Sequence, residues 1–116
     1  MHYLLFYDVV PDYVERRVVH RAEHLALARA AVARAELVLG GAMSDPTDVA
    51  VLLFRGASPA VAESFAAADP YVRYGLVTGW RVRAWATVVG DRAAVVVTDG
   101  RIGPAEPSAA AAPAAE

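Results

Sequence analysis

Aromatic and β-branched residues crowd positions 2–10 with little polar alternation. Such a run reads as a strand covered on both faces. Pro11 ends it. The pattern then changes to a helical period across 12–36. At about 100° per residue, Val14, Val18, Leu25, Ala28 and Val32 fall on one stripe that would lie on a sheet. Asp12 and Glu15 have the spacing of a capping box, in which each side chain satisfies an orphan N–H of the first turn. Residues 37–39 open a second strand, and Gly40-Gly41 with Ser44-Asp45-Pro46 predict a loop or an irregular strand end after it. A third strand is expected over 49–54.

Ser58-Pro59 is a helix start, with serine as cap and proline at the first helical position. The helix should run over 58–68 with Val61, Phe65 and Ala68 on its apolar side. Asp69-Pro70 stops it, because proline disfavours helix at the residue before it. A long strand follows over 76–89, with Gly79 as the expected bulge. The order β-α-β-β-α-β is the split βαβ pattern of a ferredoxin-like α+β fold. Two helices cover one face of a four-stranded sheet and leave the other open. Tyr3, Leu5, Val38, Val51, Leu53, Val82 and Trp85 cannot all face the helices, so a second copy of the chain is the expected partner. The domain is expected over 1–89, with an extension over 90–103 that adds a strand at 93–98. The tail over 104–116 holds only Pro, Ala, Glu and Ser and is expected to be disordered.

Composition narrows the chemistry. The 116 residues hold no cysteine, which excludes a disulfide, a thiolate metal site and a cysteine nucleophile. All 11 basic residues are arginine, so lysine Schiff-base chemistry is excluded too. A net charge of −2 gives no footprint for nucleic acid. No apolar run approaches the roughly 18 residues of a membrane span. The first residues lack a basic leader and a cleavage site, so they read as a strand rather than a signal peptide. A cytoplasmic protein is the expectation.

The informative polar residues lie on the first helix. Arg17, Arg21 and His24 are spaced i, i+4, i+7 and share one strip. Arg21 falls inside the apolar stripe, so it needs a partner or a cavity. A solvated arginine flank is the competing explanation. Asp69 is the second candidate, although Asp-Pro after a helix is also ordinary turn chemistry; Asp45-Pro46 is a similar pair. Both helices pack side by side, so a residue past the second can reach the middle of the first. If Asp69 meets His24, the carboxylate fixes the imidazole tautomer and the pair can exchange protons near neutral pH. Arg17 or Arg21 would then bind an anionic or phenolate oxygen. Tyr7 ends the first strand, and Tyr71 and Tyr74 follow Asp69, placed to close a pocket or to fill a core. His2 and His20 have no obvious partner and read as surface or dimer residues. His20 and His24 are four apart, but no acidic residues complete a metal set, so no metal and no cofactor is expected.

Three segments together resemble the YciI-like (YCII-related) family. Arg21-Ala22-Glu23-His24-Leu25 looks like its R-x-x-H-L stretch, Gly40-Gly41-Ala42-Met43 like its glycine-centred strand end, and Asp69-Pro70-Tyr71 like its D-P-[YF] element. The resemblance covers residues from about 1 to 88. It departs at Ala22-Glu23, where a proline and a small residue are common, and in the extension after Val89. The resemblance implies a dimeric α+β barrel whose active site pairs the histidine and aspartate of those motifs, here His24 and Asp69. It also implies acid–base chemistry, since a related member is a dehydrochlorinase acting on a chlorinated hydroxyquinol. The expectation is a cofactor-free lyase or isomerase acting on a small aromatic or enolisable metabolite, with Arg21, Arg17 and Tyr71 binding substrate. The rivals are a ligand-binding accessory protein that keeps the pocket without turnover, and a dimerisation module in which the pair is only an interhelical hydrogen bond.

Overall fold

In the computed structural model, which describes residues 1–98 and 101–104, the chain opens with β1 (His2–Val9). A short helix α1 (Tyr13–Arg16), a 3₁₀ turn (Arg17–His20) and helix α2 (Arg21–Ala33) follow. Next come β2 (Leu37–Ala42), β3 (Val49–Arg55), α3 (Ala60–Ala68), α4 (Pro70–Arg73) and β4 (Val77–Trp85). The four strands form one antiparallel sheet in the order β2-β3-β1-β4. That order, with the helices on one face, is the ferredoxin-like arrangement expected. Strands β5 (Val95–Thr98) and β6 (Arg101–Pro104) pair with each other in a separate two-stranded sheet. Residues 99–100 and the tail beyond residue 104, on which the expected disorder falls, lie outside the described residues.

Alternation sets the two faces of the sheet. Tyr3, Leu5 and Tyr7 of β1 are buried with Ala50, Leu52 and Phe54 of β3, and all but Tyr3 pack against Ala31, Ala62, Phe65 and Ala66 of the helices. The opposite face carries Leu4, Phe6, Val51 and Leu53, which remain half-buried. So β1 is covered on one face of this chain, not on both. The sheet bulges at Thr78, where Asp8 opposes Gly79 but Val9 opposes Val77. The extra residue is the neighbour of the expected glycine, and its hydroxyl donates to the Asp8 carbonyl at 3.2 Å. Strand β4 ends at Trp85, short of residue 89.

The first helix departs most from its expected form. It is not one rod over 12–36: the 3₁₀ turn tightens the winding and changes which side faces the sheet. As a result Val14, Val18 and Val32 are exposed, and Arg21 is exposed at the edge of a cavity, one of the two settings its place in the stripe required. Asp12 makes no capping bond with its side chain, so the capping box does not form; Asp12 lies 3.9 Å from Arg16 instead. The helix stops at Ala33 because Ala35 adopts a left-handed conformation (φ 61), with the Glu36 N–H bonded back to the Ala31 carbonyl. On α3, Ser58 Oγ accepts the Ala60 N–H at 3.2 Å, as a cap should, while Ala68 is exposed and Ala62 and Ala66 take the core. Gly40 and Gly41 lie in the second half of β2, whose pairing with β3 shifts register between Leu37 and Leu39, so of the two expectations the strand end holds and the loop does not.

His2 is also corrected, from surface to interior: it is 2% exposed, with Nδ1 2.6 Å from Thr87 Oγ1. That hydroxyl accepts the Ala94 N–H at 2.7 Å, so one threonine ties the start of the chain to the extension. Burial pushes the His2 imidazole below its usual value of 6.5, and the charges of Arg55 and the chain amine push the same way. The unfolded chain therefore takes up this proton at a higher pH than the folded one. Stability should fall as pH drops from about 7 through 6.5 toward the folded value. His2→Gln, which cannot take the proton, should flatten that fall in urea unfolding at pH 7 and pH 5; an unchanged pH dependence would show that His2 is not its source.

Candidate functional site

Helix α3 ends because Asp69 is extended (ψ 123), the conformation expected before a proline. Pro70 then starts α4, and Asp69 caps it: Oδ1 accepts the Tyr71 N–H at 3.0 Å. Gly75, with φ 80, ends this short helix by turning the Gly75 and Leu76 N–H groups back to the carbonyls of Val72 and Tyr71. Asp69 is thereby held beneath α2 with 0% exposure.

Two further donors reach the same carboxylate. His24 Nδ1 on α2 lies 2.8 Å from Oδ1, and the Tyr7 hydroxyl of β1 donates to Oδ2 at 2.8 Å. A carboxylate only accepts, so the Nδ1 of His24 carries the hydrogen and Nε2 is left for another partner. The His24 side chain keeps 15% exposure. Its ring stacks on Tyr71 with centroids 3.8 Å apart and planes within 5°, while Phe65 approaches edge-on at 6.4 Å. One turn earlier on the chain, His20 stacks on Tyr74 at 4.3 Å. His20 thus has a partner that its sequence context did not reveal. Together with the Arg73–Glu23 ion pair at 3.2 Å, the two stacks fasten α4 to the first helix. The ion pair is half-exposed on both sides, so the stacks contribute more to this docking.

His24 opens onto a cavity of about 320 Å³ between the first helix and β2. Arg17, Arg21 and Tyr71 line it as well, so four of the five candidate residues share its wall and Asp69 stands directly behind. Leu25, Ala28, Leu37 and Leu52 give it an apolar floor. At Gly41 a side chain would meet nothing within 4 Å, so that wall is open, whereas a Cβ on Gly40 would press on Leu52 at 3.4 Å. Tyr13 meets Tyr71 edge to face at 5.6 Å and carries the Arg17 guanidinium 5.1 Å above its ring.

The tyrosines supply protons rather than charge. Burial first, then the charge and hydrogen bond of Asp69, raise the Tyr7 phenol well above its ordinary value, so it remains a donor. Burial also raises Tyr71, with Tyr13 and Asp69 adding to the effect and Arg21 and Arg17 opposing it. The Tyr71 hydroxyl is buried and has no hydrogen-bond partner among the described residues. Such a group costs about 1–3 kcal/mol unless something supplies the missing bond. No cluster of three or more His, Cys, Asp or Glu suited to a metal occurs among the described residues. No helix among them is long and apolar enough to cross a membrane.

Two residues of this site escaped the sequence reading. Tyr7 was expected to close a pocket or to fill a core or interface, not to bond Asp69; it shares the buried register of Tyr3 and Leu5, where a phenol needs a bonding partner. Arg29 lines the cavity from the flank of α2, and its spacing from the other arginines gave no signal.

Comparison with known proteins agrees with this picture at the level of fold. Among solved structures, the 5-chloro-2-hydroxyhydroquinone dehydrochlorinase of Burkholderia phenoliruptrix, determined with 2,5-dihydroxybenzoquinone, superposes with a TM-score of 0.63 at 22% identity. The match covers 75% of this chain and 95% of that one. A NIPSNAP family protein from Agrobacterium tumefaciens matches with a TM-score of 0.45 at 13% identity over 71% of this chain and 87% of its own. A structural-genomics target from the same organism gives 0.43 at 18%, over 72% and 89%. No functionally curated protein matches the sequence. The YCII-related domain matches residues 1–86, and with most of its length inside that match the chain belongs to the YCII-related domain family.

Proposed function

We propose that this protein is a cofactor-independent acid–base enzyme, of lyase or isomerase type, acting on a small aromatic or enolisable metabolite. The observation that carries the reading is the 2.8 Å contact between His24 Nδ1 and a fully buried Asp69, with the imidazole on a cavity wall. Asp69 holds the ring with Nε2 unprotonated, ready to take a proton from a substrate hydroxyl or carbon acid and to return one later in the cycle. Arg17 and Arg21 stabilise the resulting oxyanion, and the unpartnered Tyr71 hydroxyl gives it a hydrogen bond. The dehydrochlorinase with the same fold is a lyase-type enzyme on a hydroxylated ring, which supports the reaction class; at 22% identity it does not carry the substrate. An accessory ligand-binding role predicts the same cavity without turnover.

A second copy of the chain is the partner we propose for the open sheet face. Leu4, Phe6, Val51 and Leu53 form its centre, with Trp85 46% exposed beside them and Arg81 lying 4.6 Å over the Phe6 ring. Open apolar sheet surface of this kind is stable only when covered.

Four outcomes are expected. In a metabolite-library thermal-shift screen, ligands that stabilise the native protein should include compounds it converts. On such a compound His24→Gln should lower kcat by about 10²–10⁴-fold, the usual contribution of a positioned acid or base; undiminished turnover would remove His24 from the chemistry. Tyr7→Phe should cost about 1.5–3 kcal/mol in urea unfolding, the range for a bond to a charged group, and a loss of only a few tenths would mean that the phenol does not hold Asp69. By sedimentation the native chain should run at twice its 12.3 kDa mass, and Leu53→Glu should run as a folded monomer; a native monomer would exclude the pairing.

A further inference from the structure

The protein is acidic overall, with 13 Asp and Glu against 11 Arg. Its cavity reverses that balance. Three of the arginines, Arg17, Arg21 and Arg29, line it, and no Asp or Glu does. Among the described residues, the arginine–carboxylate pairs use Arg16, Arg34 and Arg73. None of the cavity's three guanidiniums is neutralised by an acid there. The one nearby carboxylate, Asp69, stands behind His24 and already accepts from His24, Tyr7 and the Tyr71 N–H. Positive charge gathered around an apolar hollow focuses an attractive field on anions.

The charge is also spread along the cavity. Arg17 and Arg21 flank the end that holds His24 and Tyr71. Arg29 is five residues beyond His24 on α2, roughly 7–8 Å further along the helix axis. On the helix Leu25 and Ala28 lie between the two, and Leu37 and Leu52 of the sheet add to the apolar lining. A ligand that ionises only at the His24 end would leave the far guanidinium without a counter-charge. The buried Tyr71 hydroxyl and Arg29 therefore ask for two different polar groups, separated by an apolar body of about one ring.

We propose that the site takes a small aromatic or enolic compound bearing two groups: a hydroxyl engaged by His24 and Tyr71, and, at the opposite end, a carboxylate or phosphate held by Arg29. The assignment of the hydroxyl end rests on the acid–base reading of His24; the assignment of the oxyanion end does not. Arg29 here is a specificity-determining residue. It selects among ring compounds without touching the bond that reacts. A guanidinium serves either oxyanion, since its planar fork matches two oxygens at once.

Calorimetric titration of the full chain with 4-hydroxybenzoate, methyl 4-hydroxybenzoate, 4-hydroxyphenyl phosphate and phenol tests this. At least one of the two oxyanion compounds should bind tenfold or more tightly than the ester, and the tighter of the two names the group. Arg29→Gln, at an exposed position where folding should be unaffected and can be checked by thermal unfolding, should erase that margin and leave phenol binding unchanged. Arg29→Lys should restore part of it. Equal binding of acid, phosphate and ester, failure of all four to bind at millimolar concentration, or a margin that survives Arg29→Gln overturns the proposal. His24→Gln separates the two readings. If the margin persists in it while turnover by the native protein never depends on His24, the oxyanion assignment stands and the acid–base reading falls. If turnover depends on His24 and no margin exists, the reverse holds.

Discussion

Asp69 is a carboxylate with no exposure to solvent, and a charge buried that deeply without partners costs several kcal/mol. Its burial is tolerated because three donors from three parts of the chain converge on it: the Tyr7 hydroxyl from β1, the imidazole from α2, and the Tyr71 N–H from α4. Each of those elements must dock correctly for the set to be complete. The order of the sheet brings β1 to its interior, between β3 and β4, and the helix-facing register of that strand aims Tyr7 upward at the helices. The same requirement fixes the rotation of α2, since His24 reaches the carboxylate only if Arg21 turns outward toward the cavity.

This arrangement divides labour between the two nitrogens of one ring. Nδ1 is committed to the protein interior and Nε2 to the cavity. Tyr71 contributes twice, through its backbone to Asp69 and through its ring to His24, while its buried hydroxyl has no hydrogen-bond partner among the described residues. A site with an oriented base, an unpaired phenol and excess guanidinium is complementary to something that develops negative charge. The fold supplies the hollow beside the pair, and the chain shares that fold with the dehydrochlorinase.

Where the sequence was legible, local chemistry and tertiary structure agreed. Strand positions, the Ser58 cap and the stop at Asp69-Pro70 follow from backbone preferences that packing did not override. The motif residues His24 and Asp69 come together as interhelical proximity suggested. Illegible features depended on phase. A 3₁₀ turn at Arg17–His20 has no marker in its apolar and basic residues, so a regular stripe drawn through it sets Val14 and Val18 against the sheet, where the structure exposes them; the need of Arg21 for a partner or a cavity was legible, and it lines one. The end of α2 was hidden because an alanine, rather than a glycine, takes the left-handed position at residue 35. Tyr7 was hidden because a strand tyrosine fits a core equally well, and only the third dimension shows what its hydroxyl meets. His2 looked like a surface residue because its partner, Thr87, is far along the chain.

The account depends on Asp69 dictating the tautomer of one histidine, and that is directly measurable. Long-range ¹H–¹⁵N correlation spectra of the imidazoles, recorded at a pH where His24 is neutral, should show its hydrogen on Nδ1 in the native protein. In Asp69→Asn, with the other histidines unchanged, His24 should lose that preference. A native His24 with its hydrogen on Nε2, or a tautomer indifferent to Asp69, would contradict the pairing and with it the chemistry assigned to the site.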